Sequence, residues 1–220
     1  MINNEIKQEI EKKARSFFKD VDGCHDWTHI ERVARLALTI GAKEKADLDV
    51  LEIAVLLHDI GRKEEVENKG LFCHAEEGSK MAKKILRDYD ISKDDVENIL
   101  HCIVTHRFRN SHVPETIEAK VLFDADKLDS IGAVGIARDF VFAGSAGSGN
   151  LYTGNEKRLA KLGKDLCYTK EDSAILEYEV KLKKVKDKII TKTGKKFAQE
   201  RHDFMEEYFD RFWKEVEGEL

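Results

Sequence analysis

Apolar residues recur at intervals of three and four through most of the chain, the spacing of amphipathic helices rather than of half-buried strands. Residues 3–20 read as a first helix, with Ile6, Ile10, Ala14, Phe17 and Phe18 on one stripe and Asp20 to Gly23 breaking it. A second follows Cys24-His-Asp-Trp-Thr-His29 and carries Ile30, Val33, Leu36, Ala37 and Ile40, with Gly41 expected as its C-terminal stop. Asp47 opens a third. Lys63 to Gly70 reads as a charged loop, His74 to Tyr89 as a fourth helix, and Ser92-x-x-Asp95 as the start of a fifth. The polar stretch Arg107 to Glu115 holds the single proline and reads as a loop. A sixth helix is expected over Thr116 to Ser130, and Gly132 to Phe140 continues as another. The small residues Ala143 to Asn150 suit a lid, an edge loop or a linker. Further on, Ile175, Tyr178, Leu182, Val185 and Ile189 form one stripe, Thr193-Gly194 a turn, and Met205, Phe209, Phe212 and Val216 a second stripe. The expected architecture is all-α, ending in a C-terminal helical hairpin.

The third helix organises the rest. Leu51 to Arg62 reads LEIAVLLHDIGR: an apolar run on almost every side, leading into His58-Asp59 and then Gly61-Arg62. A buried helix has little use for two ionisable groups at its end, because a desolvated carboxylate is costly unless paired or metal-bound. The pair therefore either completes a core hydrogen bond or ligates a metal.

Composition narrows the setting. The chain has 220 residues, 37% of them charged, and a formal net charge of -5, without the basic footprint of a general nucleic-acid binder. The first residues, MINNEIKQEIEKK, are charged from the outset and do not resemble a signal peptide, and no apolar run reaches membrane-spanning length. A cytoplasmic protein without membrane or nucleic-acid partners is expected. Cys24, Cys73, Cys102 and Cys167 form no C-x-x-C pair, so a zinc knuckle is not expected. Three of them adjoin a histidine, but helical neighbours point about 100° apart, which argues against joint ligation. The lysines of KLKKVKDK and KTGKK lie mostly off the apolar stripe and read as a solvated face.

Candidate chemistry comes from three segments: His29 on helix two, His58 and Asp59 ending helix three, and Asp126 on helix six. Two imidazoles and two carboxylates suit a first-row divalent metal. Asp126 and Asp129 project about 60° apart and share a helix face, whereas Asp124 lies about 200° from Asp126 and is expected at solvent or paired with a base. His112 and His202 are expected at the surface.

In order and in context, His29, His58-Asp59 and Asp126 resemble the H…HD…D signature of the HD-domain metal-dependent phosphohydrolases. The matching segments read HDWTHIERV, LLHDIGR and FDADKLDSIGAVGIAR, and the resemblance covers about Val21 to Phe140, with LYTGNEK also similar to one bacterial and archaeal branch of small stand-alone hydrolases. The resemblance implies an HD-domain helical bundle over residues 1–150 with an extension over residues 151–220. It also implies that His29, His58, Asp59 and Asp126 hold a divalent metal (Mn, Ni, Co, Fe, Zn or Mg), one ion rather than two.

Within that resemblance, Asp59, Arg62, His74 and His106 are the catalytic candidates, and Arg62, His101 and Lys127 the substrate-binding ones. Arg62 can meet a phosphate as a fork, whereas Lys127 points about 100° from Asp126. His74, His101 and His106 match places where some members carry ligands for a second metal; here they are expected as proton donors or phosphate contacts. Trp27, Arg107, Phe108 and Arg109 are candidates to stack on a base. The implied activity is hydrolysis of a phosphoanhydride or phosphoester of a nucleotide, such as a nucleoside triphosphate to its monophosphate and pyrophosphate. Alternatives are a cyclic-nucleotide phosphodiesterase or a non-catalytic metal- and nucleotide-binding regulatory module. RFRNSHVP lacks the glycine-tyrosine-proline motif of cyclic-dinucleotide phosphodiesterases, and HDIGRKEE lacks the Glu-Asp pair of alarmone hydrolases. The C-terminal stripes would suit a homodimer.

Overall fold

A computed structural model describes residues 2–19, 26–68, 73–107, 112–145, 149–162, 166 and 169–220. Every regular element among them is helical, as the three-and-four spacing requires. In chain order they are α1 (Asn4–Ser16), α2 (Trp27–Glu44), α3 (Leu48–Leu57), α4 (Arg62–Glu67), α5 (His74–Leu86), α6 (Lys93–Thr105), α7 (Ile117–Leu128), α8 (Gly132–Ser145), α9 (Glu156–Ala160), α10 (Ala174–Val180), a 3₁₀ segment (Leu182–Lys188) and α11 (Lys192–Val216). No helix is long and apolar enough to cross a membrane among the described residues. The chain forms two compact units: Met1–Asp126 with Ile190–Thr193, and Lys127–Ile189 with Gly194–Leu220.

In the first unit α3 is the central rod, packed against α1, α2, α5 and α6. Its residues Leu51, Ile53, Ala54, Val55 and Leu57 are fully buried, which is why it is apolar all round. Asp47 caps it, accepting from the N–H groups of Asp49 and Val50 at 2.9 and 3.1 Å. Gly41 does not stop α2. It lies inside the helix, where an added Cβ would sit 2.6 Å from Leu51 Cδ2, so the missing side chain serves close approach to α3. The helix ends instead at Lys45, in the left-handed region at φ 61°, whose N–H bonds the Gly41 carbonyl.

Two further expectations change in this unit. Residues 62–67 are helical, not loop: RKEEVE contains no breaker, and Gly61 has already turned the chain. Asp124 is not at solvent. It is fully buried on α7, accepting Ile190 N–H at 2.8 Å through one oxygen and Thr191 N–H and Oγ1–H at 2.7 and 2.6 Å through the other. Nearby, Glu44 accepts the Thr193 N–H at 2.7 Å, so the returning strand of chain is held at both ends.

In the second unit the stripe from Ile175 to Ile189 is not one helix. Lys181 leaves helical geometry at φ -132° and ψ -56°, and a 3₁₀ segment follows. Leu182 and Val185 stay buried across that change because their separation of three fits 3₁₀ geometry as well as an α-helix. Thr193-Gly194 is not a turn but part of the first turn of α11. Tyr178 of α10 stacks on Phe209 of α11 with centroids 4.1 Å apart. His202, expected at the surface, is buried on α11, with Nε2 3.3 Å from Glu206. On α8, Asp139 is 7% exposed and its Oδ2 has no hydrogen-bond partner. Burial, with the charge of Glu177 next, raises its carboxyl to about 8.

Candidate metal centre

The site is built at the C-terminal end of α3. The helix closes on Leu57, and the next residues present His58 and Asp59 to the interior at 0% and 1% exposure. His58 Nδ1 lies 2.7 Å from the Val55 carbonyl, which can only accept, so Nδ1 carries the proton and Nε2 keeps its lone pair. That Nε2 is buried without a hydrogen-bond partner. Burial lowers the His58 imidazole to about 4, so the ring is a neutral donor at physiological pH.

His29 comes from the first turn of α2, capped by Asp26, whose carboxylate accepts the His29 N–H at 3.3 Å. Asp126 comes from α7. His29 Nε2 lies 3.4 Å from Asp126 Oδ1 and 3.7 Å from Asp59 Oδ2, while His58 Nε2 lies 4.0 and 3.7 Å from the same atoms. His29, His58 and Asp126 present one ligand atom each, all within 4.8 Å of one another.

A second group meets the first through Asp59. Asp59 Oδ1 lies 3.2 Å from His74 Nε2 and 3.4 Å from His106 Nε2, and the two imidazole nitrogens are 3.1 Å apart. His106 Nδ1 is 2.6 Å from the Ile103 carbonyl, so its Nε2 also carries the lone pair. Burial lowers this ring below the ordinary histidine value. Asp59 therefore serves both groups, one oxygen to each. Burial would raise its carboxyl, but the Arg62 guanidinium beside it holds it well below the usual carboxylate range. Arg62 gives Nε to Asp59 Oδ2 at 2.9 Å, and its side chain is 22% exposed.

Both donor sets fit a divalent metal. The buried, unpartnered Nε2 of His58, fixed from behind by a carbonyl, has the lone pair and the second contact that metal-bound histidine requires. All four residues expected as ligands thus converge, with His74 and His106 beside them. His101 does not. It is half-buried on α6, and its Nε2 accepts the Glu115 N–H at 3.0 Å, which ties it to the entry of α7. Lys127 follows Asp126 on α7 and is half-buried. Trp27 packs edge-on against Phe18 at 5.4 Å, with Arg15 over its face at 4.4 Å. Phe108 and Arg109 lie outside the described residues. Glu65 carried no signal in the sequence, since its placement depends on α4.

A sequence model of the HD domain matches residues 26–131. The uncharacterized protein YpgQ of Bacillus subtilis strain 168 is 34% identical over 220 residues, covering 97% of this chain and 96% of that one. The chain belongs to the HD-domain family. The crystal structure of YpgQ in complex with ADP superposes with a TM-score of 0.71 at 33% identity, covering 98% of this chain and 97% of that chain. An HD-superfamily hydrolase from Bacillus thuringiensis superposes with a TM-score of 0.68 at 30% identity, covering 96% of this HD-domain chain and 98% of its own. A predicted HD-superfamily hydrolase from an uncultured Thermotogales bacterium gives 0.65 at 30% identity, with 95% and 92% covered.

Proposed function

We propose that this chain is a metal-dependent phosphohydrolase acting on a nucleotide. The observation that carries this reading is the pair of donor groups joined at Asp59, with His58 Nε2 buried and unpartnered on one side and Arg62 on the other. The ADP complex of YpgQ and the hydrolase relatives support the nucleotide and the reaction class.

His29, His58, Asp59 and Asp126 would hold one divalent ion. Bound there, it would supply Lewis acidity toward a phosphoryl oxygen and an activated water. The protein's own groups account for the rest. Arg62 orients Asp59 through Nε and has further N–H groups to offer a phosphate. His74 and His106 present ring nitrogens on the other oxygen of Asp59, where one can hold a proton for a departing phosphate or alcohol. His29, His58 and Asp59 are each at most 1% exposed, and that burial strengthens charge interactions at these groups.

The test is a panel of nucleoside mono-, di- and triphosphates and cyclic nucleotides, each with Mn, Co and Ni. Turnover by the wild type that disappears in Asp59→Ala is expected. Tight nucleotide binding without turnover in either protein would refute hydrolysis.

A further inference from the structure

Beyond the groups that would touch metal or substrate, the chain carries a device for setting the His74 ring. Glu65 projects from the short helix α4, with Oε2 2.7 Å from His74 Nδ1. Its other oxygen accepts from Arg107, which leaves the end of α6, and Arg107 Nη1 also lies 2.8 Å from His74 Nδ1. Two neighbours thus compete for one ring nitrogen. The carboxylate can only accept and would place the proton on Nδ1; the guanidinium can only donate and would place it on Nε2.

The surroundings decide between them. Arg107 already has an acceptor in Glu65, so it need not take the nitrogen as well. A proton on Nδ1 leaves Nε2 with its lone pair beside those of His106 Nε2 and Asp59 Oδ1, three ligand atoms close enough together to share one divalent cation. Glu65 faces His74 Nδ1 with one oxygen and the Arg107 guanidinium with the other, and a carboxylate in that position acts as an acceptor toward both. We propose that Glu65 is a positioning residue: with Arg107 as its counter-ion, it holds the His74 ring and fixes the proton on Nδ1, so that Nε2 faces Asp59. This rests on the hydrolase reading for its consequence in rate, but not for the state of the ring.

The test reads the ring first. Long-range ¹H–¹⁵N spectra of the full chain, with zinc as the only divalent ion, should show His74 protonated at Nδ1 in the wild type and in Glu65→Gln. In Glu65→Ala that preference should be lost. Where hydrolysis is measured, Glu65→Ala should lower kcat about 10- to 100-fold with little change in KM, and Glu65→Gln should restore most of it. Combining Glu65→Ala with His74→Ala should cost no more than His74→Ala alone, since one residue acts through the other. A wild-type ring protonated at Nε2, or an unchanged ring in Glu65→Ala, overturns the proposal. Additive losses in the double variant overturn it as well. Absence of hydrolysis in the wild type refutes the functional reading instead, and the spectra then decide the positioning role alone.

Discussion

Gly61 and His74 meet backbone to backbone: a Cβ on Gly61 would lie 2.5 Å from the His74 carbonyl oxygen and 2.7 Å from the Gly78 nitrogen. Neither atom can swing aside as a side chain could. The turn after His58-Asp59 is thereby pressed onto the first turns of α5, the helix that begins with His74. Gly61→Ala should therefore separate the two donor groups as well as weaken the fold, by about 1–3 kcal/mol. Thermal denaturation and metal titration on the same variant check this, with loss of ligand affinity expected beyond any loss of stability.

Metal binding should be visible without a substrate. An ion that binds only the folded chain at 100 times its Kd adds about 2.7 kcal/mol, a rise in Tm of about 5–10 °C for a chain of this size. Differential scanning fluorimetry with Mn, Co, Ni and Zn after chelation measures it. His58→Ala should remove most of the rise, because it removes the nitrogen that Val55 holds in place.

Asp139 predicts a pH dependence unrelated to catalysis. Its folded value of about 8 lies far above the ordinary 3.8. Below the ordinary value both states are protonated and the folded chain is unpenalised. As pH rises the unfolded chain loses this proton first, so stability falls progressively until the folded value near 8 is passed. Asp139→Asn should match the wild type near pH 4 and exceed it near pH 8 by up to about 5 kcal/mol. Denaturant melts across that range test the crossover; parallel curves would show that Asp139 finds a partner when charged.

Asp124→Ala should be among the most damaging single changes outside the donor groups. It leaves Ile190 N–H, Thr191 N–H and the Thr191 hydroxyl without their acceptor. Roughly 2–4 kcal/mol is expected, read by chemical denaturation, with Asp124→Asn losing less because an amide oxygen still accepts.

The candidate donor residues were legible in the sequence because they stand out against their helices: His58-Asp59 after a run in which six of seven positions are apolar, and Asp126 within VLFDADKL. Periodicity also located most of α1 through α8. It failed where two geometries satisfy the same spacing, as at Leu182 and Val185, and where a glycine had two possible uses, as at Gly41. Glu65 was hidden for a different reason. Its partners are nine and 42 positions away, and no local pattern announces a carboxylate that serves a histidine in space. Asp124 misled because helical projection gives its angle to Asp126 but not what lies on the far side, which is chain 66 and 67 positions later.

That last separation sets an order of events during synthesis. When a ribosome has made His29, His58, Asp59, His74, His106 and Asp126, every candidate ligand already exists, yet the Ile190 and Thr191 donors to the Asp124 carboxylate of α7 have not been translated. Burying that carboxylate then would leave it without the three donors that it accepts from in the folded chain. Emergence of Ile190 and Thr191 lifts that penalty. A chain cut short before Ile190 would carry every candidate ligand and lack the three hydrogen bonds that Asp124 accepts from Ile190 and Thr191.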